Sequence, residues 1–234
     1  MYFSTLKKTL IALTFISAMT ACNQIESSVS ETQIQEKQEI SNTVYGTFTD
    51  EQKKLYIQAQ NLLERDDIDQ AIKIFTTLAE QGQTDAQTEL GLIYIKRNQQ
   101  AEALKWFAQA ADNHHPEAQN NLGLFYLQGI SVAPDYERAK HYFEQAAQQN
   151  SVLAENNLGM MYMQGLGVPV DYAQAKVHLE KAAAADNSLA QFNLAMIYLN
   201  GLGETADVEK AKIYLQKAAA NGDMQAKQYL ANLP

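Results

Sequence analysis

From residue 51 to residue 233 the apolar positions recur three or four residues apart, the spacing of one face of an α-helix, and no β-branched alternation suggests a strand. Leu122, Tyr126 and the small Gly123 lie on one such face. Gly129 follows, where a helix C-terminus favours a residue that takes a left-handed conformation, and Gly165 and Gly201 follow similar runs. Asp135, Asp171 and Asp207 then precede second helical runs, where a short acceptor side chain can cap free backbone N–H groups. Those runs, Ala139–Ala147, Ala175–Ala183 and Ala211–Ala219, set Tyr, Phe and Leu between small residues that let helices approach closely. The pattern predicts an all-α chain built of helix pairs.

The pairs repeat. Ala118-Gln-Asn-Asn-Leu-Gly-Leu-Phe-Tyr126 returns as Ala154-Glu-Asn-Asn-Leu-Gly-Met-Met-Tyr162 and as Ala190-Gln-Phe-Asn-Leu-Ala-Met-Ile-Tyr198, each 36 residues on. First runs begin at Ala86, Ala118, Ala154, Ala190 and Ala226, in steps of 32, 36, 36 and 36. The Ala-Ala pairs at 110–111, 146–147, 182–183 and 218–219 keep the period of 36, so the four missing residues fall in the turn at Lys96-Arg97-Asn98. Upstream, Ala59, Leu62, Ala71, Phe75 and Leu78 fit an earlier unit with an equally tight turn at Glu64-Arg65-Asp66-Asp67. Five two-helix units result, at about 52–83, 84–115, 116–151, 152–187 and 188–223, with a capping helix at 224–234. Self-similarity at such a period marks a stacked array, which buries a continuous core and offers an extended surface.

The stretch Ala154–Ala183 reads Ala-x-x-x-Leu-Gly-x-x-Tyr-x-x-Gly-x-Gly-Val-x-x-Asp-x-x-x-Ala-x-x-x-Leu-x-x-Ala-Ala, and it resembles the Sel1-like repeat, a longer-looped relative of the tetratricopeptide repeat. Ala190–Ala219 follows the pattern with Ala195 for the first Gly and Glu204 for the Val; in Ala118–Ala147, Ser131 replaces the second loop Gly. The two N-terminal units, with short turns, are closer to tetratricopeptide repeats. The resemblance implies a right-handed α-solenoid that serves as a scaffold or adaptor.

The N-terminus has a different composition. Met1–Ala21 has Lys7 and Lys8, an apolar stretch from Thr9 to Met19 and small residues before Cys22. The stretch is shorter than the roughly 20 residues a bilayer span needs, and the layout is that of a secretion signal. Met19-Thr20-Ala21-Cys22 resembles the bacterial lipobox, with Met for the usual Leu, which implies lipidation of Cys22. Asn23 after it implies, by analogy with enteric bacteria, an outer-membrane lipoprotein facing the periplasm. No second cysteine is present to form a disulfide. Residues 22–50 are rich in Asn, Gln, Ser, Thr and Glu and read as a flexible tether, whose root-mean-square reach is on the order of 30 Å.

The formal net charge of −9 becomes −11 once the two lysines of the signal are removed. No Lys/Arg stripe is left for a nucleic acid, and contact with an anionic membrane falls to the lipid anchor. The chain has no H-E-x-x-H, no G-x-S-x-G and no phosphate-binding G-x-x-x-x-G-K-[ST]. Its S-x-x-K, Ser4 to Lys7, lies inside the signal. The histidines do not converge: His114 and His115 are adjacent, and His141 and His178 sit at different repeat positions. No catalytic residue, metal or cofactor is expected.

What remains is a ladder on the first helices, which in tetratricopeptide-like arrays line the concave face. Asn120, Asn156 and Phe192 head one row, with Leu124, Met160 and Met196 one turn on, then Leu127, Met163 and Leu199, and Gln128, Gln164 and Asn200 at the helix ends. Asn121, Asn157 and Asn193 form the row beside it. Carboxamides donate and accept, so a row of them can bond an extended peptide, and Met and Leu give an adaptable apolar floor. Peptide-clamping tetratricopeptide domains use Asn at the position of Asn121, but the basic residues of that clamp are absent here. The Asn rows can equally bond neighbouring turns, and the Met and Leu rows can be core; Tyr126, Tyr162 and Tyr198 read as packing between helices. The expectation is a non-enzymatic protein- or peptide-binding scaffold, with an immunity or inhibitor protein, or an envelope enzyme acting on β-lactams or cell wall, as alternatives.

Overall fold

The computed structural model describes residues 48–233. The expected signal segment, Cys22 and residues 23–47 of the expected tether lie outside the described residues. The described residues contain eleven α-helices and no strand. The pairs are α1 (Asp50–Glu64) with α2 (Ile68–Glu80), α3 (Thr84–Lys96) with α4 (Gln100–Asp112), and α5 (Pro116–Gln128) with α6 (Tyr136–Gln148). Then come α7 (Val152–Gln164) with α8 (Tyr172–Ala184), α9 (Ser188–Asn200) with α10 (Val208–Ala220), and the single helix α11 (Met224–Asn232). From α3 to α11 each helix packs on the next, which makes the all-α solenoid of repeated pairs that the periodicity predicts.

Local chemistry sets the helix ends. At the start of α1, Thr49 and Gln52 form a capping box: the Thr49 N–H donates to Gln52 Oε1 at 3.0 Å and the Gln52 N–H to Thr49 Oγ1 at 3.2 Å. Gly129, Gly165 and Gly201 end α5, α7 and α9 at φ of 71°, 72° and 61°, a region where a Cβ is penalised. The second helices then start on acidic caps. Asp135 accepts from the Arg138 N–H, Asp171 from those of Ala173 and Gln174, and Asp207 from that of Lys210, all at 2.9–3.0 Å. The first two pairs turn differently: Asp66 and Asn98 supply the positive φ, and Asp67 and Gln99 make no capping bond.

Matched large and small residues close each pair. A Cβ placed on Gly91, Gly123 or Gly159 would sit 2.5–2.6 Å from Phe107, Phe143 or Leu179 respectively, so the bulk on the second helix requires the gap on the first. In the last pair Ala195 takes the place of the glycine and shares one buried cluster with Leu215. The core then runs between pairs. Ala139, Phe143 and Ala146 of α6 join Ala154, Leu158 and Met161 of α7, and α8 joins α9 in the same way. Every second helix is therefore sandwiched between two first helices, as a stacked array demands.

Candidate binding face

The first helices α5, α7 and α9 carry no basic residue, and their only acids are Glu117 and Glu155. In these three pairs the charged residues gather on the second helices and turns, whereas α1 and α3 are themselves charged. Among the described residues no three His, Cys, Asp or Glu side chains are placed to hold a metal ion. No described helix is long and apolar enough to cross a membrane.

The two expected Asn rows turn out to be halves of one ladder. Asn157 Nδ2 donates to Asn120 Oδ1 at 2.9 Å, and Asn193 Nδ2 donates to Asn156 Oδ1 at 3.3 Å. Each bond joins consecutive first helices at a spacing of one repeat plus one residue. The same register continues at both ends. Tyr56 Oη donates to Glu89 Oε1 at 3.2 Å, and Phe192 meets Tyr229 edge-on at 5.5 Å between ring centres. Thr88 and Asn121 are the step that does not form, because Thr88 Oγ1 bonds Thr84 O and lies 3.1 Å from His115 Nδ1.

Burial corrects part of the sequence reading. Asn120, Asn121 and Asn156 are 2%, 7% and 7% exposed, so they do not project from the surface; the neighbouring first helix covers them. Met196 is buried as well, and Leu124, Leu127, Phe192 and Leu199 pack against core clusters. Asn157, Asn193, Met160, Met163 and Gln164 are half-buried, while Gln128 and Asn200 at the helix ends are exposed. Asn193 Nδ2 also contacts Met160 Sδ at 3.1 Å, and Asn200 Nδ2 donates to Met196 O. Gln164 Nε2 is buried with no hydrogen-bond partner. The accessible part of the face is thus a strip of carboxamide and thioether groups without charge.

The opposite junction, between the helices of a pair, is aromatic and charged. Tyr126 stacks on Tyr142, Tyr162 on His178 and Tyr198 on Tyr214, with interplanar angles of 3–6° and ring centres 5.6–5.8 Å apart. Burial pushes the phenols of Tyr142 and Tyr214 up, so both stay protonated. Lys176 lies 4.7 Å above the Tyr198 ring and reaches Glu204 of the next repeat at 2.6 Å, and the bond to Glu204 raises its pKa. Glu204, which departs from the repeat pattern, thereby ties two units together.

His115 has a structural role. His115 Nδ1 accepts from the Ala118 N–H at 3.3 Å to cap α5, and its Nε2 lies 3.3 Å from Asp85 Oδ1. Sequence reasoning missed both this cap and the contact of His178 with Glu155. The available signal was that the 155 and 178 positions leave the repeat pattern together, Glu for Gln and His for Tyr.

Comparisons with known proteins agree on the architecture. The Sel1 repeat matches residues 55–83, 84–115, 116–151, 152–187 and 188–223. A Sel1 repeat protein from Oxalobacter formigenes is 30% identical over 75% of this chain and 73% of its own, with a TM-score of 0.69. An immunity protein from Pseudomonas aeruginosa is 18% identical over 80% of this chain and 74% of its own, with a TM-score of 0.56. A Klebsiella pneumoniae protein described as a putative sel1 repeat protein is 20% identical over 77% and 91%, with a TM-score of 0.54. No curated protein matches. Five consecutive repeats, each matched to the same family, lead to one assignment: the chain belongs to the Sel1 repeat family.

Proposed function

We propose that this protein is a non-catalytic binding scaffold that takes a partner protein or an extended peptide segment on the face formed by its first helices. Sel1 repeat proteins generally act as protein-interaction scaffolds, which supports the coarse assignment. The observation that carries the finer one is the uncharged strip on α5, α7 and α9. Asn157 and Asn193 each use their amide N–H groups on the ladder or on a neighbouring sulfur and keep a carbonyl oxygen for a ligand. With Met160, Met163 and the exposed Gln128 and Asn200 around them, the strip suits the backbone and neutral side chains of an extended segment.

Lipidation at Cys22 would hold the array at the bacterial outer membrane, facing the periplasm, and residues 23–47 would tether it. The lipobox-like run supports this, since several acyl chains on one cysteine suffice for stable anchoring while one chain is marginal. Labelled palmitate should enter the wild type and be lost from Cys22→Ser; equal labelling of both would overturn the anchor. An immunity role shares the binding face and differs only in the partner, and protection of cells from a co-encoded toxin would select it. At 18% identity the likeness to an immunity protein speaks for the fold alone.

The partner test uses exposed positions, because replacing Asn120 or Asn156 would cut the ladder and confound binding with stability. Affinity capture from the solubilised envelope should recover a partner with wild type and lose it with Gln128→Lys/Asn200→Lys at unchanged melting temperature. Equal recovery by a stably folded variant would move the site off this face.

A further inference from the structure

Two of the four junctions between units share one relay, a third keeps half of it (Gln87 Nε2 donates to Ala79 O at 3.1 Å, with Gln87 Oε1 buried and unpartnered), and one has none of it. In the junction of the second and third units, Gln119 Nε2 donates to Ala111 O, at the end of α4, at 3.5 Å. Gln149, at the end of α6, donates to Gln119 Oε1 and to His114 O, both at 2.9 Å. The junction of the fourth and fifth units repeats this arrangement. Gln191 Nε2 donates to Ala183 O at 3.2 Å, and Asn221 donates to Gln191 Oε1 at 3.0 Å and to Asp186 O at 3.2 Å. A carboxamide relay thus clamps the turn before one first helix to the turn that ends the same pair.

Between the third and fourth units the relay is gone. Glu155 stands at the position of Gln119 and Gln191, and Ala185 at that of Gln149 and Asn221. A carboxylate has no N–H with which to bond Ala147 O, and a methyl group cannot bond Asn150 O. Glu155, only 7% exposed, turns instead to its own pair: His178 Nδ1 donates to its Oε2 at 2.6 Å and Lys181 Nζ to its Oε1 at 2.9 Å. His178 is in turn stacked on Tyr162. The departures at 155, 178 and 185, with Lys181 alongside, exchange bonds between units for bonds within one unit.

We infer that the junction of α6 and α7 is a hinge that divides the array into two blocks, the first through third units and the fourth and fifth. The attachments that remain across it include the apolar cluster of Ala139, Phe143, Ala146, Ala154, Leu158 and Met161, the close packing of Gly167 on Tyr136, and the Asn157–Asn120 bond. The ladder bond lies on the first-helix face and the missing clamp lies at the turns. The joint therefore opens at the turns and pivots on the ladder, which changes the spacing of first-helix groups on either side. The hinge follows from the bonding pattern alone and holds whether or not that face binds a peptide.

Amide hydrogen exchange on the whole protein tests it. The equivalent turn amides are His114/His115, Asn150/Ser151 and Asp186/Asn187, which donate to the matching second-helix carbonyls in each case. After correction for intrinsic rates, Asn150 and Ser151 should exchange about tenfold faster than the other two pairs, the factor that one or two net hydrogen bonds set. The variant Glu155→Gln/Ala185→Asn copies the fifth unit and should remove the difference. Spin labels at exposed Gln109 and Gln216 should give a broad distance distribution in wild type and a narrower one in that variant. The reverse exchange, Gln191→Glu/Asn221→Ala, should speed Asp186 and Asn187 by a similar factor and so create a second hinge. Equal protection of all three turns in wild type, or a relay variant that leaves exchange and distance width unchanged, would overturn the proposal.

Discussion

The two N-terminal pairs and the three that follow solve one packing problem with different local chemistry. In α1–α4 the turns are tight, Asp66 and Asn98 take positive φ without glycine, and neither α2 nor α4 starts on a side-chain cap. From α5 on, every helix starts on a bonded cap: His115, Asp135, Ser151, Asp171, Asn187, Asp207 and Asp223. Both regions bury the same aromatic or leucine knob against a small residue. The long-loop pairs therefore combine local and tertiary stabilisation, while the tight-turn pairs depend on packing, with additions such as the Tyr56–Phe75 edge contact at 5.3 Å.

The largest effect should come from the knobs. Phe107→Ala and Phe143→Ala each remove a ring buried to 1% exposure or less, at a cost of about 3–5 kcal/mol. If the tight-turn region rests mainly on packing, Phe107→Ala should split the thermal melt, with α1–α4 lost before α5–α11. A single transition at a lowered temperature would contradict the division. Next in size is Gly123→Ala, whose new methyl would lie 2.6 Å from the Phe143 ring and should cost about 1–3 kcal/mol. Adding Phe143→Leu recreates the Ala195–Leu215 arrangement and should recover most of that loss in denaturant melts, whereas additive costs would show that the two sites are not matched.

Caps sharpen the comparison further. Asp171→Ala removes an acceptor of two backbone N–H groups and should cost about 1 kcal/mol. Asp67→Ala, at a start with no capping bond, should stay within about 0.5 kcal/mol. The smallest effect is on pH dependence. The backbone N–H of Lys210 holds Asp207 below its ordinary value, so its contribution is complete above the usual carboxylate range and is lost as pH falls through the depressed value. Acidification below about pH 4 should fray the start of α10, seen as faster exchange of the Lys210 amide. Asp207→Asn should remove that dependence.

The repeat boundaries, the left-handed glycines and the acidic caps were legible because each follows from residues near in sequence. The direction of the Asn rows was not. A first helix in a stacked array touches its own partner and the first helices before and after it, and periodicity finds the face without saying which neighbour covers it. Asn120 and Asn156 therefore read as presented groups, though each is the acceptor for an Asn one repeat plus one residue later. Two adjacent polar positions recurring at a fixed period were the trace of that ladder. Glu155 and His178 illustrate the same limit: each looks unremarkable alone, and only their joint departure from the period marks their contact.

The claim that the uncharged first-helix face receives a partner is tested most directly by photo-crosslinking in intact cells. A photoreactive residue is placed at Gln128 or Asn200 on the first helices, or at exposed Val177 or Ile213 on the second. The account predicts one discrete protein adduct from positions 128 and 200 and none from 177 and 213. An adduct confined to positions 177 and 213 would contradict it.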